Sequence, residues 1–149
     1  SDTVQAIGHY HIDLQEIPVD FIVASAHKFH GPKGVGFAFF RKGFGITPLF
    51  HGGDQEKGAR SSTENVHSIL GMEKALTIAS QTLEEDKAHM NALKRYFMDG
   101  LKQINSKVRF NGNSSCLDKS SCTILNALLP TSDEMLLFSL EKNSMQDSM

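Results

Sequence analysis

Ser25-Ala26-His27-Lys28-Phe29-His30-Gly31-Pro32-Lys33-Gly34 sets a lysine between an apolar stretch and a glycine-proline turn. Ile22, Val23 and Ala24 close the apolar run before it, and residues 35–40 begin another. The pattern reads as strand, loop, strand, with Lys28 where a buried strand stops. Burial at such a place opposes the ammonium charge and pushes a lysine down from its usual pKa of about 10.4. A neutral amine is a nucleophile that condenses with an aldehyde to a Schiff base.

Outward from this stretch, a strand over residues 19–25 carries apolar side chains on both faces, as strands of a covered parallel sheet do. Short strands are expected also at residues 3–7 and 36–40. This is an α/β layer, in which ligands sit beyond the carboxyl ends of the strands, where Ser25, His27 and Lys28 fall. Residues 42–62 form a long loop with Gly43, Gly45, Pro48, Gly52, Gly53 and Gly58. Loops of about 20 residues in a compact protein are usually functional or disordered, and Gln55, Glu56, Arg60, Ser61 and Thr63 favour function here.

The strongest helical signal starts near Thr63 or Glu64, where Ser61-x-x-Glu64 has capping-box form. Val66, Ile69, Leu70, Ala75, Leu76 and Ala79, then Leu83, Met90, Leu93, Phe97, Leu101 and Ile104, recur at helical spacing. They predict two helices or one bent helix whose stripe is packing surface. Strands follow over 108–110 and 123–129. A helix starts at Thr131-Ser132-Asp133-Glu134, and residues 141–149 read as a frayed end.

The chain has 149 residues, 40% of them hydrophobic, enough for a core of ordinary domain size. Its net charge of -2, without charged blocks, excludes a nucleic-acid partner held by bulk electrostatics. No apolar stretch reaches the ~18 residues of a spanning helix, and no secretory signal opens the sequence, so a cytoplasmic protein is expected. Cys116 and Cys122 lack the spacing of a disulfide framework or a zinc site and read as free thiols. His9, His11, His27, His30 and His51 raise a metal-binding module as an alternative, but no carboxylate stands at matching ligand spacing. Gly31-x-x-Gly34-x-Gly36 precedes a strand rather than opening a helix, so it fails as a nucleotide fingerprint. Lys33 reads as a solvated turn residue.

A Schiff-base site for an aldehyde bearing a phosphate and a pyridine ring needs two further parts, an anion cradle and an acid facing the ring nitrogen. Ser25 and His27 can donate to phosphate, and Thr63 lies at a helix start, which favours anions. Asp2 can keep a pyridinium protonated.

Three motifs in order now carry a resemblance: Asp2-x-x-Gln5; Ser25-Ala26-His27-Lys28 with Gly31-Pro32-Lys33-Gly34; and His51-Gly52-Gly53-Asp54-Gln55-Glu56 leading to Arg60-Ser61-Ser62-Thr63. The chain resembles, from Ser1 to about Leu140, part of a cysteine desulfurase, of the class V aminotransferase group of fold-type I pyridoxal phosphate enzymes. The resemblance implies that Lys28 forms the Schiff base with pyridoxal phosphate and later moves the substrate's α-proton. It implies further that Asp2 pairs with the pyridine nitrogen, Gln5 bonds the phenolic oxygen, Ser25 and His27 bind the phosphate, and Thr63 reaches the phosphate of a neighbouring subunit. The family turns L-cysteine into L-alanine and passes sulfur, through a cysteine persulfide, to iron-sulfur cluster assembly or thiolated nucleosides. A homodimer and a scaffold or sulfur-acceptor protein are the implied partners.

Asp54 replaces a glycine frequent in the family, and Ser62 replaces the usual glycine of the Arg-Ser-Gly-Thr run. The family's amino-terminal half, its catalytic cysteine loop and its substrate-binding arginine have no counterpart here. Cys116 and Cys122 precede that loop's position and lack its serine- and glycine-rich surroundings. The expected architecture is therefore partial. Residues 1–104 would be the later part of a cofactor-binding large domain with a mainly parallel sheet and long linking helices. Residues 105–149 would start a small α+β carboxy-terminal domain. The chain alone is expected to be inactive. Selenocysteine cleavage, another class V activity or an inactive remnant are the alternatives of the same ancestry.

Overall fold

The computed structural model describes residues 1–131 and 135–146. In chain order they form strand β1 (Phe21–Ser25), a 3-10 turn (Ala26–Phe29), strand β2 (Gly36–Phe40), a second 3-10 turn (Gln55–Gly58), helix α1 (Val66–Ile104), strands β3 (Arg109–Phe110) and β4 (Ala127–Leu128), and helix α2 (Leu136–Gln146). The chain divides into two units, Ser1–Lys87 and Ala88–Met149, and α1 contributes residues to both.

In the first unit β1 alternates as a half-buried strand should, with Ile22 and Ala24 buried and Phe21, Val23 and Ser25 partly exposed. β1 and β2 pair antiparallel, from Phe21 opposite Phe40 to Ser25 opposite Gly36. Of the mainly parallel sheet expected, the described residues contain one parallel contact, the isolated bridge between Asp2 and Val23. The pairing reverses because the connection from β1 to β2 is a loop, too short to carry the crossover that a parallel partner needs. Phe21 stacks with Phe44 and tilts against Phe40 on the outer face, with ring centroids 6.3 and 5.1 Å apart.

The core of this unit joins Ala24, Ala26, Phe29 and Ala79, flanked by Ile7, Val35, Phe37, Met72, Ala75 and Leu76. The sheet thus packs on the first part of α1, as the helical stripe predicted. The strand expected over residues 3–7 is instead a run of turns. The amides of Ala6 and Ile7 bond locally to Thr3 O at 2.8 and 3.0 Å, so contact with β1 is confined to the first three residues: the Ser1 ammonium donates to Phe21 O at 2.6 Å, Asp2 bridges Val23 and Thr3 bonds Val23 O. Gly8 permits this route: its φ is +83°, and a Cβ there would lie 2.6 Å from Phe29 Cβ.

Helix α1 is one element rather than two. It starts at Val66, after the point expected, and Asn65 rather than Ser61 occupies the capping position. The amide of Ser68 points to Asn65 Oδ1 at 3.4 Å, and Ile69 N bonds Asn65 O at 3.0 Å.

In the second unit Met98, Val108 and Cys122 are buried together with two polar residues, Lys94 and Ser114. Lys94 Nζ donates to Ser120 Oγ at 2.7 Å and to Ser121 O at 2.8 Å, and Ser120 Oγ passes the chain on to Cys116 O at 2.7 Å. β3 and β4 pair antiparallel through Arg109–Leu128 and Phe110–Ala127, a shorter ladder than the sequence suggested. Of the helix start expected at 131–134, residues 132–134 lie outside the described residues. Helix α2 continues through Gln146, so residues 141–146 are helical rather than frayed; residues 147–149 lie outside the described residues. No described helix is long and apolar enough to cross a membrane.

Candidate functional site

The 3-10 turn after β1 decides which residues of the opening stretch face inward. Ala26 is fully buried and Phe29 is 1% exposed, so the intervening His27 and Lys28 point outward. The burial expected of Lys28 is therefore absent: a turn of about three residues per repeat anchors positions 26 and 29 and presents the two between them. The Lys28 ammonium makes no hydrogen bond or ion pair with the described residues, which leaves its amine available.

The loop around it is tightly closed. Ala26 N bonds Val35 O at 3.0 Å across its mouth, Gly31 N bonds Ala26 O at 2.8 Å, and His30 takes the left-handed conformation at φ 67° to end the turn. Ser25 Oγ and His27 Nδ1 lie 2.9 Å apart, bringing together a hydroxyl three residues before Lys28 and an imidazole one residue before it. The imidazole and hydroxyl share one hydrogen bond and retain further donor capacity, as an anion site requires.

Asp2 comes to the same strand from the amino-terminal side. It bridges Val23, while Thr3 donates to Val23 O through both N (3.1 Å) and Oγ1 (2.6 Å). Asp2 Oδ1 accepts the Val4 amide at 2.9 Å and the side chain is exposed, so its carboxylate is fixed beside β1 with acceptor capacity to spare. Gln5 is exposed on the following turn. Thr63 is exposed on the irregular segment ahead of α1. No hydrogen bond joins Gln5 or Thr63 to Ser25, His27 or Lys28. Asp2, Ser25, His27 and Lys28 thus lie at or directly beside β1.

The loop over residues 42–62 folds back on itself. Arg60 lies over the Phe50 ring at 5.0 Å, Ser61 N reaches Phe50 O at 3.4 Å, and Ser61 Oγ contacts Gln55 Oε1 at 3.4 Å. Two residues that support the site were missed in the sequence: Gly8 and Phe29, whose backbone-to-side-chain contact underlies the Lys28 turn. Among the described residues no group of three or more His, Cys, Asp or Glu side chains converges to hold a metal, and the metal-binding alternative gains no support.

Known proteins match this chain in sequence and in fold. Residues 1–141 match the family described as Aminotransferase class-V. The chain belongs to that family. A cysteine desulfurase IscS from Clostridium botulinum (strain Hall) is 36% identical over 143 residues, covering 96% of this chain. The chain spans 36% of that relative's length. A NifS-like protein of known structure superposes with a TM-score of 0.75 at 42% identity, over 85% of this chain and 33% of its own. DndA from Streptomyces lividans superposes with a TM-score of 0.79 at 28% identity, over 95% and 40%. The described residues are accordingly a partial fold-type I architecture of mixed helix and sheet, and class V aminotransferases of this kind depend on pyridoxal phosphate.

The residues present fit that cofactor. An unpaired, exposed amine suits its aldehyde, the Ser25–His27 pair suits its phosphate, and the fixed carboxylate of Asp2 suits a protonated ring nitrogen.

Proposed function

We propose that this chain is the lysine-bearing part of a pyridoxal phosphate-dependent cysteine desulfurase that acts on L-cysteine. The single observation that carries the reading is the free Lys28 amine presented beside the Ser25–His27 pair at the carboxyl end of β1. Lys28 would hold the cofactor by its amine, Ser25 and His27 would bind its phosphate, Asp2 would face its ring nitrogen and Gln5 its phenolic oxygen. Thr63 would serve the phosphate site of a second subunit in a homodimer. Bound pyridoxal phosphate supplies an electron sink for charge developing on the substrate. With the cofactor bound, Lys28 Nζ would accept the α-proton of L-cysteine and return a proton toward L-alanine. A cysteine thiolate would attack the substrate sulfur, forming the S–S bond of a persulfide as the carbon–sulfur bond breaks and its electron pair stays with carbon, to be protonated toward L-alanine. Neither buried Cys122 nor half-buried Cys116 is assigned that role.

Residues 1–104 are read as the later part of the large domain with its linking helix, and 105–149 as the start of the small one. We read the enzyme as cytoplasmic, delivering sulfur to an iron-sulfur scaffold or another sulfur acceptor; the relatives' names support the cysteine desulfurase activity itself. Selenocysteine cleavage remains the alternative substrate within the same chemistry.

The test is direct. Pyridoxal phosphate added to the folded chain should give the yellow absorption of a lysine adduct, and borohydride reduction followed by peptide mapping should place the label on Lys28. Lys28→Ala should remove it. Folded protein without an adduct at Lys28 would sink the assignment. Alanine release from L-cysteine, compared with release from selenocysteine, then separates the substrates.

A further inference from the structure

The loop that carries Lys28 is seated on α1 at two places. Phe29 goes down between Gly8 and Ala79: a Cβ on Gly8 would lie 2.6 Å from Phe29 Cβ and 3.7 Å from Ala79 Cβ. Pro32, on the other side of Lys28, rests on Gly71. A Cβ built on Gly71 would lie 2.8 Å from Pro32 Cγ and 3.3 Å from Pro32 Cδ.

Gly71 is an interior residue of α1, where glycine is the poorest helix former after proline. Its backbone conformation is ordinary, so no turn requires it there. The close approach of the proline ring is what the missing side chain permits. A proline ring is tied to the backbone at both ends and cannot swing aside as the tip of a long side chain can. Carbon–carbon contacts are optimal at about 3.5–4.0 Å, so an added methyl group would drive the ring back by roughly 0.7 Å or more. The loop has little slack to absorb this. The Ala26 N to Val35 O and Gly31 N to Ala26 O bonds close it, and Phe29 anchors its first half.

We infer that Gly71 and Pro32 are positioning residues for the Lys28 amine: a side-chain-free notch on α1 receives the proline ring and sets the height of the loop that presents Lys28. This rests on the reading of Lys28 as the cofactor lysine. Misplacing a reacting group by about 1 Å can cost as much as ~100-fold in rate.

Gly71→Ala, Pro32→Ala and the double variant test the inference, because removing the ring restores the space that the methyl group takes. Two readouts are followed in the full chain: the rate of borohydride-trapped pyridoxal phosphate labelling at Lys28, and amide hydrogen exchange over residues 26–35. Circular dichroism reports the fold. In Gly71→Ala, labelling should slow by roughly threefold to thirtyfold and exchange over 26–35 should accelerate. Helicity should stay at or above that of the unsubstituted chain, since alanine is the better helix former. The double variant should recover both readouts to the level of Pro32→Ala alone.

Unchanged labelling and exchange in Gly71→Ala would overturn the inference, as would a loss that Pro32→Ala does not relieve. If Gly71→Ala fails to fold, recovery of the fold in the double variant supports the contact, and failure of both refutes it. If the unsubstituted chain takes no label at Lys28, the cofactor reading falls by itself. The exchange data then still decide whether the notch sets the loop.

Discussion

Phe29 shows how a single side chain presents its neighbour. Its ring is buried against Ala79 and the backbone of Gly8, and the 3-10 turn from Ala26 converts that burial into the outward display of His27 and Lys28. Phe29→Ala would leave a cavity under the turn, and truncations of this kind cost about 3–5 kcal/mol. Urea denaturation followed by fluorescence or circular dichroism should show a loss of this size, together with weaker labelling of Lys28. A loss below ~1 kcal/mol would mean that the turn is held by its hydrogen bonds alone. At this scale the sequence named Lys28, Ser25, His27 and Asp2 from their chemistry. It gave Lys28 the wrong burial, because a strand pattern does not reveal whether the next turn points a side chain in or out.

Helix α1 draws on both ends of the sequence pattern. Its apolar spacing was legible, and its start was misplaced because Ser61-x-x-Glu64 and Asn65 are both acceptable capping signals in isolation. Only the path of the chain into Val66 selects Asn65. Asn65→Ala should therefore cost on the order of 1 kcal/mol of stability, and Ser61→Ala should cost no cap energy. Thermal melts of the two variants compare them directly, and equal losses would contradict the assignment. Further along the helix, Lys94 is 6% exposed and donates to Ser120 and Ser121, so the ammonium pins the loop between β3 and β4. Lys94→Met keeps the aliphatic stem but leaves two partly buried acceptors without their donor, a change worth about 1–3 kcal/mol. Hydrogen exchange should rise over residues 114–121, with Lys28 labelling unaffected. Equal protection in the variant would mean that water replaces the ammonium without loss.

Across the whole molecule, several large apolar side chains stand in solvent. In the first unit Leu49 is 88% exposed, and Phe50, Val66 and Leu70 are exposed with it. Such surface favours association. Sedimentation velocity should show self-association that weakens when Leu49→Ser and Phe50→Ser are combined. A monodisperse monomer before substitution would show that this surface is tolerated in water. The same chain, loaded with pyridoxal phosphate and given L-cysteine, is expected to release no alanine, because its only thiols are buried Cys122 and half-buried Cys116. Detectable alanine release would refute that expectation.

The sequence by itself determined which residue types stand in which order: a lysine after an apolar strand, hydrogen-bonding side chains beside it, an acid on an earlier segment and a long amphipathic helix behind. Residue type and spacing carry that information directly. Tertiary structure decided which way each group faces and what holds it. The antiparallel return of β2, the outward turn of Lys28, the bridge that brings Asp2 to Val23 and the seat of Pro32 on Gly71 join residues far apart in the chain. Each depends on close packing between distant segments, and a local pattern of hydrophobicity contains no record of those contacts.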